Sequence, residues 1–140
     1  MIRKVDETIS VAPQITTEDL ADIAAAGFVA IVNNRPDHEE GGQPDGAEIR
    51  AAAEAAGLGY IEIPVTHAGF SANQVEAMAD FLEAAGGPVL AFCRSGTRSC
   101  NLWALAAASR GARPDELTAK GAGAGYDLSG IRPMLDALAG

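Results

Sequence analysis

From Cys93 to Ser99 the chain reads CRSGTRS, which sets one thiol, two guanidinium groups and three hydroxyls in seven consecutive residues. Arginine beside cysteine is the setting in which a thiol works as a nucleophile, because the cations favour the thiolate and hold an anion against it. Cys93 is therefore the candidate nucleophile and Arg98 the candidate clamp. Arg94, Ser95, Gly96, Thr97 and Ser99 are the candidate substrate-binding residues. A short loop that curls from a strand into a helix turns successive backbone N–H groups inward, at the positive end of the helix dipole. Gly96 supplies a position where positive φ is free. The Ser99 hydroxyl is expected to donate to the cysteine sulfur, and no histidine base is needed. The plain alternative is a buried cysteine in a turn, with arginines facing solvent. Glycine at plus three, arginine at plus five and serine at plus six, all at a strand-to-helix junction, favour the nucleophile. Cys100, in the first turn of an apolar helix, reads as a small core residue, and its closeness to Cys93 in sequence keeps a redox role open.

Such a loop needs a buried strand behind it and a helix in front. PVLAF (88–92) is that strand, and a helix from about Ser99 to Arg110, apolar almost all round, follows it. Upstream, TISVAP (8–13) reads as a short strand. A helix follows, with Thr16 and Asp19 spaced as a capping pair and Gly27 as its stop. FVAIVNN (28–34) has the length and continuity of a strand buried on both faces. The Pro-, Gly- and charge-rich stretch 35–46 is an exposed loop, followed by a helix over about 47–56 and the strand YIEIPV (60–65). Ser71 and Gln74 open a further helix whose inner face carries Val75, Met78, Ala79 and Leu82. Helical pieces near 114–121 and 129–139 close the chain. Tyr126 reads as a packing residue.

Strands alternating with helices imply one α/β domain over 1–140: a central, mostly parallel sheet of four to five strands with helices on both faces. In such sheets the loops after the strands build the site. Arg35 and Asp37 follow one strand and His67 another, so these three are candidate accessory residues.

The formal net charge of −9, with only ten basic residues, argues against nucleic acid and anionic membrane as partners. A local positive spot on an acidic chain instead suits a small anion. No run of about 18 apolar residues is present, and the N-terminus does not read as a secretory signal, so a cytoplasmic location is expected. Two cysteines are too few for a disulfide framework, and neither His38 nor His67 has a partner at metal-ligand spacing, so neither metal nor organic cofactor is expected.

The window CRSGTRS resembles the active-site loop of single-domain rhodaneses, whose cysteine carries a persulfide. The strand end VNNRPD, the strand IPV and then the cysteine loop are similar in order to tyrosine and dual-specificity phosphatases. Over nearly the whole chain, APQITTEDLADIAAAGFVAIVNNRPD, YIEIPVTHAGFSANQVEAMADFL, GPVLAFCRSGTRSCNLWALA and AGYDLSGIRP resemble the phosphatase-like domain of the beta-lactamase hydrolase-like proteins. That resemblance implies a phosphatase-like fold and either sulfur transfer or phosphate hydrolysis. Some members are fused to a persulfide dioxygenase, which makes such an enzyme a candidate partner.

The loop departs from the phosphatase pattern. Phosphatases of the cysteine class have five residues between nucleophile and arginine and usually a histidine before the cysteine; here there are four, and Phe92 takes the histidine's place. The region corresponding to their acid loop, PVTHAGF, has no aspartate, although Asp37 is a possible substitute. A phenolate or alkoxide, with a conjugate-acid pKa of about 10 or above, leaves best with an acid; a thiolate at about 8.5, or sulfite, does not need one. The expectation is a rhodanese-like sulfurtransferase that takes sulfane sulfur from thiosulfate or a persulfide onto Cys93 and passes it to a thiol acceptor. The alternatives are a cysteine-dependent phosphatase working through a phosphocysteine and a non-catalytic anion- or partner-binding module.

Overall fold

A computed structural model describes residues 1–140. In chain order the elements are β1 (Arg3–Lys4), β2 (Ile9–Ala12), α1 (Leu20–Ala25), β3 (Ala30–Asn33), α2 (Gly46–Ala55) and β4 (Gly59–Glu62). They continue with α3 (Ala72–Ala84), β5 (Val89–Phe92), α4 (Thr97–Ser109), α5 (Pro114–Gly123) and α6 (Arg132–Ala139). The five strands lie in the order β1-β2-β5-β3-β4; all neighbours are parallel except the β1–β2 pair at one edge.

β5 is the middle strand, and its sequence explains why. Every residue of VLAF is buried, and the side chains alternate between two cores. Val89 and Ala91 face the larger core with α3, α4, α5 and α6; Leu90 and Phe92 face the smaller one with α1 and α2. β3 alternates in the same way, with Ala30 and Val32 on one side and Ile31 on the other. A strand covered on both faces reads as a continuous apolar run.

Register then places the site. Ala12 of β2 pairs with Phe92 of β5, which pairs with Asn33 of β3, so the three strands end level. The segments beginning at Pro13, Cys93 and Asn34 emerge side by side, where strand order and chain order diverge. That is the crevice in which an open α/β sheet binds its ligand.

Several boundaries differ from those read in the sequence. The first helix begins as a 3₁₀ turn over Thr17–Asp19, with the Thr16 amide donating to the Asp19 carboxylate at 2.8 Å. YIEIPV is regular strand only to Glu62. Pro64 has no amide to donate, although Ile63 and Val65 still donate to the carbonyls of Asn33 and Asn34, both at 2.9 Å. The helix after the cysteine loop starts at Thr97 rather than Ser99, because Gly96, at φ 93°, turns the chain in one residue. β1 was not expected; two residues leave no periodicity to read. The box at Ser71 and Gln74 forms in both directions, at 3.1 and 2.8 Å. No helix is long and apolar enough to cross a membrane.

Candidate active site

Cys93 directly follows β5, and neighbouring chain covers it fully. Its amide donates to Ala12 O at 3.3 Å, continuing the β2–β5 ladder one step past the strands. Its sulfur accepts the Gly96 N–H at 3.1 Å. The first main-chain bond of α4 runs from Cys100 N–H to Gly96 O at 2.9 Å, so the amides ahead of it have no intrahelical acceptor. The positive end of this 13-residue helix therefore lies at the loop.

Arg98 lies beside Cys93, but its guanidinium already holds a carboxylate. Nη1 and Nη2 donate to the two oxygens of Glu39 at 2.6 and 2.9 Å, and Nη1 also donates to Val65 O at 2.6 Å. The Arg98 guanidinium, reinforced by that of Arg35, holds the Glu39 carboxyl down at about 2. Glu39 in turn raises Arg98 above its ordinary value, with a further contribution from nearby Cys93.

Glu39 and Glu40 make the loop after β3 an acidic clasp over the cysteine loop. Arg35 is the post at its base: buried, it donates from Nε to Glu39 at 2.9 Å, from Nη1 to Gln14 Oε1 at 3.0 Å and from Nη2 to Glu40 at 3.1 Å. Arg94, exposed, reaches the other oxygen of Glu40 at 3.2 Å. Arg35, a candidate accessory residue, thus forms ion pairs within this loop. In sequence, Glu39 and Glu40 read only as part of the exposed loop over 35–46. Its position after a parallel strand, at the same sheet end as an arginine-bearing loop, was the signal available.

Ser99 does not donate to the cysteine sulfur as expected. Its buried hydroxyl donates to Asn34 Oδ1 at 2.8 Å, while Asn34 Nδ2 donates to Ile63 O at 2.9 Å. A buried carboxamide oxygen needs a donor, and Ser99 supplies it. The pair clips α4 to the ends of β3 and β4. At the mouth, Ser95 Oγ donates to Thr97 Oγ1 at 3.0 Å. Asp37 is committed elsewhere: its Oδ1 caps α2 through the Gly46 amide at 2.8 Å. That bond orients one oxygen of Asp37 toward the start of α2. His67 is exposed on a turn closed by the Thr66–Gly69 bridge, two residues beyond the carbonyl that Arg98 holds.

Cys100 packs in the larger core, and burial pushes its thiol up to about 12. Tyr126, read as packing, donates its hydroxyl to Ser95 O at 3.1 Å. No three His, Cys, Asp or Glu side chains converge as metal ligands. A surface cavity of about 540 Å³ lies at the far end of α4, lined by Phe70, Val75, Arg110, Met134 and Leu138 among others. It shares no residue with the cysteine loop.

A cysteine loop between the middle strand and a helix N-terminus, in this sheet order, gives the domain a tyrosine and dual-specificity phosphatase-like fold. Tk-PTP, 20% identical, superposes with a TM-score of 0.75 over 99% of this chain and 95% of its own, and PTPMT1, 12% identical, with 0.74 over 99% and 96%. Those two likenesses concern the fold alone.

Residues 1–110 match the family described as beta-lactamase hydrolase-like protein, phosphatase-like domain, and the chain belongs to that family. A beta-lactamase hydrolase-like protein of Agrobacterium fabrum is 37% identical over 108 residues, which cover 77% of this chain and 25% of the relative. One from Xylella fastidiosa is 34% identical over 125 residues, covering 89% and 29%. The chain thus spans between a quarter and a third of those relatives' length. A Neisseria meningitidis protein described as a candidate phosphatase is 39% identical, with a TM-score of 0.84 over 98% of this chain and 97% of that one. These likenesses favour the phosphatase alternative over the sulfurtransferase expected from the loop. The rhodanese likeness rests on the loop sequence.

Proposed function

We propose that the domain is a cysteine-dependent phosphatase acting on small phosphate monoesters with good leaving groups. One observation carries the reading: Gly96 N–H points at the Cys93 sulfur at 3.1 Å, in a phosphatase-type fold, with Arg98 two residues on. A phosphoryl group over Cys93 would have its oxygens facing the loop amides and the positive end of α4. The Cys93 thiolate attacks phosphorus; the bond to the leaving oxygen breaks, and its electron pair stays on that oxygen. Water then attacks the phosphocysteine, releasing inorganic phosphate and the thiolate. Arg98 binds the phosphoryl oxygens after exchanging at least one of its bonds to Glu39. Asp37 is tied to α2, so leaving groups that depart without a proton are favoured: activated phenolates ahead of alkoxides.

A second reading, sulfur transfer, is favoured by the four-residue spacing from Cys93 to Arg98 together with that same bond holding Asp37 to α2. Here the thiolate attacks the sulfane sulfur of thiosulfate or a persulfide, the S–S bond breaks, and sulfite or a thiolate leaves with the pair. A low-molecular-weight thiol then removes the sulfur, and a persulfide dioxygenase is the class of enzyme that would consume the product. Both readings keep Cys93 reduced, as a compartment such as the cytoplasm would. Intact-mass measurement separates them. Incubated with p-nitrophenyl phosphate and quenched in acid, the protein gains a phosphoryl group under the first reading; incubated with thiosulfate, it gains one sulfur atom under the second. Cys93→Ser gains neither. Sulfur loading with no phosphorylation and no phosphate release would overturn the phosphatase proposal.

A further inference from the structure

We propose that Tyr126 is a positioning residue of the cysteine loop, whose hydroxyl fixes the Ser95–Gly96 peptide so that Gly96 N–H faces Cys93. The inference rests on Cys93 being the working nucleophile, as both readings above require. The two ends of one peptide unit carry it. In a trans peptide the C=O and N–H point in opposite directions. Here the Ser95 carbonyl accepts from Tyr126 Oη at 3.1 Å, and the Gly96 amide of the same unit donates to Cys93 Sγ at 3.1 Å. Holding the oxygen outward holds the hydrogen inward.

This peptide needs holding. It leads into a glycine at φ 93°, where the backbone is freer than at any other residue type. A flipped unit would present the Ser95 oxygen to the sulfur, repelling both a thiolate and any bound oxyanion. The glycine is also what lets the tyrosine in: a Cβ on Gly96 would collide with the Tyr126 hydroxyl. Burial keeps that hydroxyl above its ordinary pKa, so it remains a donor across neutral pH.

Tyr126 is itself anchored from outside the loop. Its amide donates to Gly121 O at 2.9 Å, closing the end of α5. Arg3 of β1 donates from Nη1 to Ala124 O at 3.2 Å and lies against Gly125. The edge strand and the C-terminal helices thereby reach the chemistry through one phenol, at a position beyond the residues 1–110 that match the family.

The test compares Tyr126→Phe, which keeps the ring and removes the donor, with Ile23→Val, a conservative loss in the smaller core on the other side of the sheet. The readouts are the rate of Cys93 alkylation by iodoacetamide at neutral pH and the protection given by inorganic phosphate. Neither needs turnover, so a failed phosphatase assay leaves this proposal standing. Tyr126→Phe should slow alkylation and weaken phosphate protection, each about tenfold, at an unfolding midpoint close to that of Ile23→Val. Ile23→Val should change neither. Should Tyr126→Phe fail to fold, Tyr126→Leu, which keeps apolar bulk without the donor, carries the same expectation. Wild-type rate and protection in the folded variant, or equal losses in Ile23→Val, would overturn the proposal. A wild-type Cys93 that resists iodoacetamide would overturn it as well.

Discussion

Glu39 and Arg98 form a two-point ion pair, at 2.6 and 2.9 Å, between the loop after β3 and the helix that follows the cysteine loop. The guanidinium face that would meet an oxyanion is thus shared with a carboxylate of the protein itself.

Replacing Glu39 by Gln should free Arg98. Inorganic phosphate, measured by its protection of Cys93 from alkylation, should then bind several-fold more tightly, since a neutral amide competes less well for a guanidinium. Weaker binding in Glu39→Gln would show instead that the carboxylate orients Arg98 and does not compete with the anion.

The same pair gives the fold an acid limit. Glu39 titrates at about 2 in the folded protein, against 4.5 for an ordinary glutamate. A depressed carboxyl stabilises the fold above its unfolded pKa, and that contribution disappears as pH falls from about 4.5 toward about 2. Because the pair is partly open to solvent, the loss should be on the order of 1 kcal/mol. Urea midpoints of the wild type should drop across this window more steeply than those of Glu39→Gln. Parallel curves would contradict the coupling.

Ser99→Ala tests the clip to Asn34. Deleting the hydroxyl leaves a buried carboxamide oxygen without its donor, which should cost about 1–3 kcal/mol in urea unfolding. Alkylation of Cys93 should stay within about twofold of wild type, since the serine proton goes to Asn34 and not to the sulfur. A large drop in alkylation at unchanged stability would restore the serine–sulfur bond.

Cys100→Ala should leave Cys93 reactivity unchanged and cost about 1 kcal/mol or less through a small cavity. A Cys93 that loses its turnover specifically in this variant would point to a resolving thiol.

The architecture was legible because its signals are local. FVAIV and VLAF carry unbroken apolar runs that only a doubly covered strand needs, and Gly27, Gly57, Gly96 and Gly111 mark turns at positive φ. The cysteine loop was legible because nucleophile, glycine and arginine lie within one turn of chain. What stayed hidden depends on register. Glu39 and Arg98 are 59 positions apart and meet only because β3 and β5 end level. Asp37 looked free in sequence, since nothing in the sequence shows that the first turn of α2 lies within its reach. Tyr126 reaches the loop from beyond α5, on a path with no periodicity to read.

The acidic clasp also bears on how a ligand arrives. An anion approaching Cys93 meets a molecule of formal charge −9 and, at the rim, Glu40 paired with Arg94. The attraction of the cradle acts over a few ångströms, whereas the repulsion extends about 30 Å at 0.01 M ionic strength and about 10 Å at 0.1 M. Diffusional encounter with a dianion should therefore speed up as inert salt is added, the reverse of electrostatic steering, until the added anions themselves begin to occupy the loop.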